Sequence, residues 1–326
     1  MNLFFDIRVS NPYFYEFKHL FKNKNLKKIV NVYQNVNSIK NIKNNMMFGI
    51  GDFYRGCFYL YYICKMLNLE FDINIKNHLI SNFIVTRNHE DKNIIYNEIN
   101  HMSDKMNTNL HIDIYMINLI NYLNDCKDDI CYLICNLRYD IFDIKNTKYG
   151  ITQSLTPIIR NKICPNDILT SAIEERLNIL NLKKKNYGVI HLRCGDDFIL
   201  KEDIFNINEP TKSLMNKNKF IKIINIIKKL NINNKKYLLI GDNNSVKFEL
   251  NKIFPNFISI KNEITHLGCS NERTYESVKD TMIDFYLMAI SQHIISFTVY
   301  GHGSGFCEYC AVIYGIRFKQ YKLHMY

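Results

Sequence analysis

The sequence predicts an α/β protein with two Rossmann-like domains, and two patterns support this expectation. From about residue 187 to residue 314, short apolar segments of strand character alternate with amphipathic helical segments. Strands separated by helices indicate a parallel, doubly wound sheet with right-handed crossovers. Residues 46–75 repeat the theme as a short strand, a glycine loop, an apolar helix and another strand, which indicates a second βαβ unit.

The length of the chain and a region that contains helix breakers predict two domains. A chain of 326 residues suffices for two ordinary domains, each able to bury a core. Residues 145–165 contain Pro157 and Pro165 with few periodic apolar residues, which indicates a hinge. We therefore expect an N-terminal domain over residues 1–155 and a C-terminal domain over residues 156–326.

The N-terminal half is expected to be less regular than the rest. We interpret residues 22–45, rich in Lys and Asn, as a loose solvated segment that follows one short strand or helix. Residues 110–123 and 130–137 have helical patterns, and residues 71–75 alternate like a strand. Asn166 is expected to cap the helix that follows it.

The formal net charge of +11 leaves two interpretations open. A basic face would attract nucleic acid, membrane phosphate or a nucleotide-sugar. Alternatively, the charge is spread over a solvated surface, because the lysines fall in separate stretches and the abundant Lys, Asn, Ile and Tyr reflect AT-rich codons. We favour the diffuse charge and expect no nucleic-acid partner.

The sequence also gives expectations for location and for the thiols. The N-terminus has no basic start followed by an apolar stretch, and no run reaches about 18 apolar residues, so we expect a cytoplasmic protein without an anchor, or a fragment of a longer one. The ten cysteines sit mostly in apolar runs and are expected to be buried thiols. For Cys307 and Cys310 a redox role stays open beside the simpler interpretation of two helix residues one turn apart.

The most informative stretch is residues 187–196, YGVIHLRCGD. A buried apolar strand ends there on Arg193, Gly195 and Asp196, and ligands of open α/β sheets bind at the carboxyl edge. Gly195 permits a left-handed turn. The guanidinium of Arg193 suits bidentate contact with a phosphate, and a buried Arg needs such a partner.

Three further groups of residues are candidates for a binding site. Gly49, Gly51 and Asp52 form a glycine loop that would bring helix N–H groups near an anion, although a third glycine for the dinucleotide fingerprint is missing and Asp52 also fits a helix cap. Asp242 ends a strand, where it would either accept from guanine N–H groups or stabilise a turn. The turn Ser304-Gly305-Phe306 opens the last helix, where it would bind a diphosphate or simply provide an N-cap.

Three segments, in order, resemble those of one enzyme family. Residues 191–196, HLRCGD, resemble the His-x-Arg-x-Gly-Asp segment of fucosyltransferases with the GT-B fold, a group that includes the α1,2-, α1,6- and protein O-fucosyltransferases. Residues 49–52 resemble the Gly-x-Gly-Asn/Asp loop of that group, with Asp52 where many relatives have Asn. Residues 273–306 resemble its Asp on a helix, buried strand and Ser-rich turn. Together the three segments cover less than a third of the chain.

This resemblance implies a specific activity and a set of roles. It implies two domains facing a central cleft, GDP-fucose as the donor, an inverting mechanism and no metal or other cofactor, which agrees with the lack of an Asp-x-Asp pair. Arg193 would hold the donor pyrophosphate. The other residues of the donor site would be Gly49, Gly51, Gly195, Asp196, Asp242, Ser304, Gly305 and Phe306.

Some roles stay open beside the resemblance. The general base would be Asp52, another cleft carboxylate, or the leaving phosphate. His191 is a cleft residue with a catalytic role or a satisfied core histidine, Asp196 orients Arg193, and Asp284 ties loops together through Arg193 or backbone amides. The alternatives for the whole chain are a GT-B enzyme with another nucleotide-sugar donor and a non-catalytic, basic nucleic-acid-binding protein.

Overall fold

The computed structural model describes residues 18–33, 49–85, 111–135, 151–195, 215–230, 232, 235–263, 267, 274–301 and 303–323. The chain divides into two compact units, each with its own parallel sheet. The first unit comprises residues 1–40, 52–81 and 85–164, and the second comprises residues 41–51, 82–84 and 165–326. The expected boundary between residues 155 and 156 stays a prediction.

The first unit is built on a three-stranded sheet. Strand β1 (Lys28–Val32) lies between β2 (Glu70–Asn74) and β3 (Ile130–Leu133), and both neighbours run parallel to it. The described helices associated with this unit are α1 (Ile50–Leu67), α2 (His111–Asp125) and α3 (Ile151–Lys162), with short 3-10 helices at Lys18–Leu20 and Leu79–Phe83.

The central strand of this sheet corrects the expectation of a loose segment over residues 22–45 for its first part, while residues 34–45 lie outside the described residues. Ile29, Val30 and Val32 are buried, and Asn31 between them is fully buried as well. The Asn31 side chain donates to the Phe53 carbonyl at 3.4 Å and accepts from the Cys135 backbone N–H at 3.1 Å. A buried amide is tolerated when its hydrogen bonds are made, so a polar residue stands within a core strand here.

Two further expectations for the first unit are wrong. Residues 130–133 form strand β3 rather than a helix, because the segment pairs with β1 in the sheet. The expected hinge contains helix α3, which includes Pro157 and buries Leu155 and Ile159 against the rest of the unit. Packing of this apolar face offsets the lost N–H of the proline, which local propensity alone would count against a helix.

The second unit contains a five-stranded sheet, and its secondary structure follows the predicted alternation. The strands are β4 (Gly188–Arg193), β5 (Tyr237–Gly241), β6 (Phe257–Ile258), β7 (His293–Thr298) and β8 (Arg317–Lys322). The helices are α4 (Asp167–Ile179), α5 (Lys217–Lys229), α6 (Asn244–Ile253), α7 (Tyr275–Ala289) and α8 (Gly305–Tyr314). Asn166 caps α4 as predicted, since its side chain accepts from the Leu169 N–H at 3.0 Å.

The strand order of this sheet determines where a ligand site is expected. The order is β6-β5-β4-β7-β8, and all neighbouring pairs are parallel. The chain therefore winds from β4 to one side through β5 and β6, and then continues on the other side with β7 and β8. The order reverses between β4 and β7, and such a switch point opens a crevice at the carboxyl ends of the strands.

Candidate functional site at the carboxyl edge of the second sheet

Arg193 is the last residue of β4 and lies at the switch point, opposite Thr298 of β7. Its Nη1 donates to the Asp242 Oδ2 at 2.8 Å, and its side chain is 16% exposed. Its guanidinium carbon lies 5.4 Å from the centre of the Tyr300 ring. A carboxylate on one side and an aromatic face on the other hold the guanidinium in a defined orientation.

Asp242 organises the turn that follows β4. Besides binding Arg193, its carboxylate accepts from the backbone N–H of Cys194 at 2.7 Å and from that of Gly195 at 3.3 Å. Gly195 has a φ of 123°, which agrees with the predicted left-handed turn. These contacts are those of a turn-stabilising carboxylate, the second alternative for Asp242. They are also the kind of contact predicted for Asp196, which lies outside the described residues.

The N-terminus of α8 lies at the same edge of the sheet, after β7. Ser304 is the N-cap residue, is 5% exposed and makes no capping hydrogen bond through its side chain. The preceding residue, Gly303, has a φ of 93°. The first turn therefore retains backbone N–H groups that can donate hydrogen bonds to an anion, and the helix dipole favours negative charge there.

Gly51 lies against this first turn of α8. A Cβ atom at Gly51 would lie 2.4 Å from the carbonyl carbon of Gly305 and 2.6 Å from the backbone nitrogen of Phe306. Only a glycine permits this approach, and it brings the beginnings of α1 and α8 together. Gly49 directly precedes α1.

The predicted glycine loop at residues 49–52 is wrong in one respect. Helix α1 begins at Ile50, so Gly51, Asp52 and Arg55 lie in its first turns rather than in a loop. The Asp52 Oδ1 forms an ion pair with the Arg55 Nη2 at 3.1 Å. A carboxylate in the first turn is favoured by the helix dipole, but Asp52 is the third residue of α1 rather than its N-cap, so both alternatives for Asp52 stay predictions.

His191 and Phe306 pack into the core next to this edge. His191 is 4% exposed, and its Nδ1 lies 3.2 Å from the hydroxyl of Ser296 on the neighbouring strand. Burial, together with the positive charge of Arg193, lowers the pKa of His191 to about 3, so the ring is neutral at physiological pH. The Phe306 ring contacts those of His191 and Phe285. These surroundings favour the satisfied core histidine, and a catalytic role for His191 stays a prediction.

A second cluster of charges, which the sequence patterns did not indicate, lies among α4, α6 and α7. The Arg176 Nη2 forms an ion pair with the Asp280 Oδ1 at 3.0 Å, and the Asn262 side chain donates to the Asp284 Oδ2 at 3.0 Å. Lys247, only 2% exposed, donates to the Ile260 carbonyl at 3.1 Å. Asp284 therefore ties loop residue Asn262 to α7, by contact with a side chain rather than with Arg193 or a backbone amide. The residues of this cluster are far apart along the chain, so their contacts leave no local signal in the sequence.

Cys307 and Cys310 are buried one turn apart in α8, and burial raises the pKa of Cys307 to about 12. A redox-active thiol needs a lowered pKa, so the simpler interpretation of this pair agrees with the structure. Within the described ranges no helix is long and apolar enough to span a membrane, and no group of three or more His, Cys, Asp or Glu residues could hold a metal ion.

The fold and the position of Arg193 define a class: a doubly wound α/β protein with an ion-paired arginine and a tight turn at the switch point of its sheet. Sequence comparison adds nothing to this class, because no protein-family model and no curated protein matches the chain. Comparison with solved structures gives matches among the fucosyltransferases.

The structure resembles the α1,6-fucosyltransferase NodZ soaked with GDP-fucose, with 11% identity and a TM-score of 0.51 over 88% of this chain and 92% of that one. NodZ from Bradyrhizobium in another crystal gives 11% identity, a TM-score of 0.48 and coverages of 87% and 92%. A variant of FUT1 from Arabidopsis thaliana in complex with GDP gives 8% identity, a TM-score of 0.49 and coverages of 96% and 75%.

The match with a TM-score above 0.5 establishes the fold, and at 11% identity it establishes the fold alone. It confirms the predicted fold class, an α/β protein with parallel sheets, and this fold is like that of NodZ. The arrangement of two domains around a cleft and the roles of the individual site residues stay predictions.

Proposed function

We propose that the protein is an inverting glycosyltransferase that transfers fucose from GDP-fucose to a hydroxyl group of a glycan or glycoprotein. The observation that carries this proposal is the Arg193–Asp242 pair at the switch point, on the sheet edge where α8 begins. The likeness in fold to a fucosyltransferase whose crystal was soaked with GDP-fucose supports the choice of donor.

The proposed reaction requires a site that stabilises a leaving diphosphate. The acceptor oxygen attacks the anomeric carbon of fucose, the bond from that carbon to the phosphate oxygen breaks, and GDP leaves with the bonding electrons. Arg193 faces the charge that grows on the phosphate, and the N–H groups at Ser304, Gly305 and Phe306 add to its stabilisation. Because the guanidinium is already oriented by Asp242, little reorganisation accompanies the reaction.

The remaining predicted residues have supporting roles in this proposal. Gly195 and Asp196 shape the turn around the diphosphate, and Gly49 and Gly51 permit the backbone to approach it. Asp242 acts by orienting Arg193 rather than by binding guanine. Residues 156–326 bind the donor and residues 1–155 bind the acceptor.

The proton of the acceptor hydroxyl has two candidate destinations. One is the carboxylate of Asp52, whose ion pair with Arg55 would have to open. The other is the leaving phosphate itself. His191 is a weaker candidate for the general base, because a pKa of about 3 makes its neutral ring a poor proton acceptor. The same pKa means that the ring carries no extra proton at neutral pH that it could donate.

Nucleotide-dependent thermal stability tests the proposal. A ligand present at about 100 times its Kd stabilises the native state by about 2.7 kcal/mol, so GDP is expected to raise the melting temperature more than UDP, ADP or CDP do. Arg193→Ala should abolish this shift, whereas Arg160→Ala, at an exposed residue of α3, should preserve it. Hydrolysis or transfer of GDP-fucose should fall by about 10²-fold or more in Arg193→Ala.

Each alternative has its own outcome in this experiment. If another nucleoside diphosphate stabilised the protein more than GDP does, the donor would be the sugar conjugate of that nucleotide and not GDP-fucose. Binding that follows only ionic strength, with no nucleotide preference, would favour the electrostatic, nucleic-acid-binding alternative and refute the enzyme.

A companion variant tests the orienting role of Asp242. Asp242→Asn keeps one side-chain oxygen, which can accept from the Cys194 N–H, but replaces the oxygen that accepts from Arg193 and from the Gly195 N–H with an NH2 group. We expect about tenfold weaker GDP binding and a lower melting temperature of the free protein, because the NH2 group accepts no hydrogen bond from Arg193 or Gly195. Unchanged GDP affinity in this variant would contradict the orienting role.

A further inference from the structure

A cationic cavity lies at the amino edge of the five-stranded sheet. It has a volume of about 480 Å³ and is lined by Lys185, Lys235, Gln292, His293 and Arg317. His293 and Arg317 are the first residues of β7 and β8 and are paired in register. Arg193 lies at the opposite end of β4, a strand of six residues that spans about 20 Å, so the cavity is separate from the switch-point crevice.

The charges of this cavity are not balanced by acidic residues. Within the described part of the chain, no carboxylate forms an ion pair with Lys185, Lys235 or Arg317. The Lys185 Nζ donates to the Ser291 carbonyl at 3.1 Å, which orients the ammonium group without neutralising it. Like charges that converge without a counter-charge repel one another, and an anion bound among them would relieve that repulsion.

The side chains of Lys185, Lys235, Gln292 and Arg317 are exposed, whereas the partly buried His293 is held in place. The His293 Nε2 lies 2.9 Å from the Tyr237 hydroxyl, and a Cβ atom at Gly188 would lie 2.4 Å from the Tyr237 ring and 2.7 Å from that Nε2. Gly188 therefore leaves the space in which this pair sits. The pKa of His293 is lowered by burial and by the charges of Lys235 and Arg317, so the ring lies within the field of those two cations.

We propose that this cavity binds a small multivalent oxyanion of the phosphate or sulfate class. A guanidinium supplies a planar pair of donors, two ammonium groups supply further charge-assisted donors, and the Gln292 side chain supplies a neutral one. Tetrahedral oxyanions offer three or more acceptor oxygens to such a set of donors. The cavity is open to solvent, and its volume of about 480 Å³ accommodates a phosphate or pyrophosphate group together with water.

Binding of sodium pyrophosphate, measured by calorimetry in the Arg193→Ala protein, tests this site without the proposed donor site. Sodium chloride keeps the ionic strength constant, and inorganic sulfate is a second probe that separates phosphate-specific binding from general oxyanion binding. We expect one pyrophosphate to bind, with an affinity about tenfold lower after Lys235→Gln and after Arg317→Gln. Lys252→Gln, at an exposed lysine of α6, is the matched control and should leave the affinity unchanged.

The outcomes separate this site from the proposed activity. Binding that survives Arg193→Ala and weakens with both glutamine variants supports the cavity, whether or not the protein proves to be a glycosyltransferase. Binding unaffected by Lys235→Gln and Arg317→Gln, or absent once ionic strength is held constant, overturns it. Far-UV circular dichroism of each variant checks that a lost affinity does not come from a lost fold.

Discussion

The contact between Gly51 and Gly305 gives a prediction with a clear direction. An alanine at position 51 would place its Cβ 2.4 Å from the Gly305 carbonyl carbon, 2.6 Å from the Phe306 nitrogen and 2.9 Å from the Gly305 oxygen. All three atoms belong to the backbone, which has no rotamer to change. An alanine at position 305 meets only ordinary contacts, the nearest being the Gly51 carbonyl carbon at 3.4 Å.

The two substitutions are therefore expected to have opposite effects. Overpacking costs about 1–3 kcal/mol, and the higher helix propensity of alanine returns less than about 1 kcal/mol at a helix end. Gly51→Ala should thus lower the free energy of unfolding by about 1–2 kcal/mol. Gly305→Ala should leave it unchanged or raise it slightly, since alanine fits both the space and the helix.

Urea unfolding measures both free energies. Far-UV circular dichroism is the suitable signal, because the chain contains no Trp whose fluorescence could report unfolding. Gly51→Ala should also weaken GDP binding, since the first turn of α8 has to move away from residue 51. Equal stability of wild type and Gly51→Ala, or a larger loss in Gly305→Ala than in Gly51→Ala, would refute the reasoning.

Two other predictions concern titration and thiol reactivity. Burial raises the pKa of Asp284 to about 6 against the opposing charges of Lys247 and Arg176, so the native state binds a proton that the unfolded state loses near pH 4. The resulting stabilisation, at most about 3 kcal/mol, is complete below pH 4 and lost as the pH rises through 6. Asp284→Asn should flatten the dependence of the free energy of unfolding on pH in this range, as measured by urea unfolding at several pH values. An unchanged slope in this variant would count against a raised pKa of Asp284. In native protein, iodoacetamide should modify the partly exposed Cys126 and Cys164 before the buried thiols, as peptide mass spectrometry would report, and early labelling of a buried thiol would contradict the structure. Among the cysteines that the structure describes, the buried ones are Cys57, Cys64, Cys131, Cys135, Cys194, Cys307 and Cys310.

The elements that were predictable are those whose pattern is strong within a few residues. Strands β4, β5 and β7 are largely apolar runs, and the helices between them carry polar caps such as Asn243 and Thr274. β1 was missed because Asn31 and the surrounding lysines hide a buried strand in a polar composition. β8 was missed because its residues, RFKQYK, are mostly polar, as suits a partly exposed edge strand.

The candidate site was predictable up to the choice of partners. A strand that ends on Arg193 and a turn that begins a helix at Ser304 both leave local signals. The partner of Arg193 is Asp242, 49 residues further along the chain, and their contact depends on β5 lying beside β4. Strand order is a property of the whole sheet, so local patterns could identify both residues without pairing them.

The way α1 is shared has a practical consequence for dissecting the chain. Ile50 and Gly51 group with the second unit, whereas the helix from Asp52 onwards groups with the first. A truncated protein starting at Pro165 would lose the glycine that covers the Gly305 backbone. It would also lose the Phe83 ring, whose centre lies 4.7 Å from that of Tyr275. Expressed alone, this piece should melt at a lower temperature and precipitate more readily than the full-length chain, although its sheet would be intact.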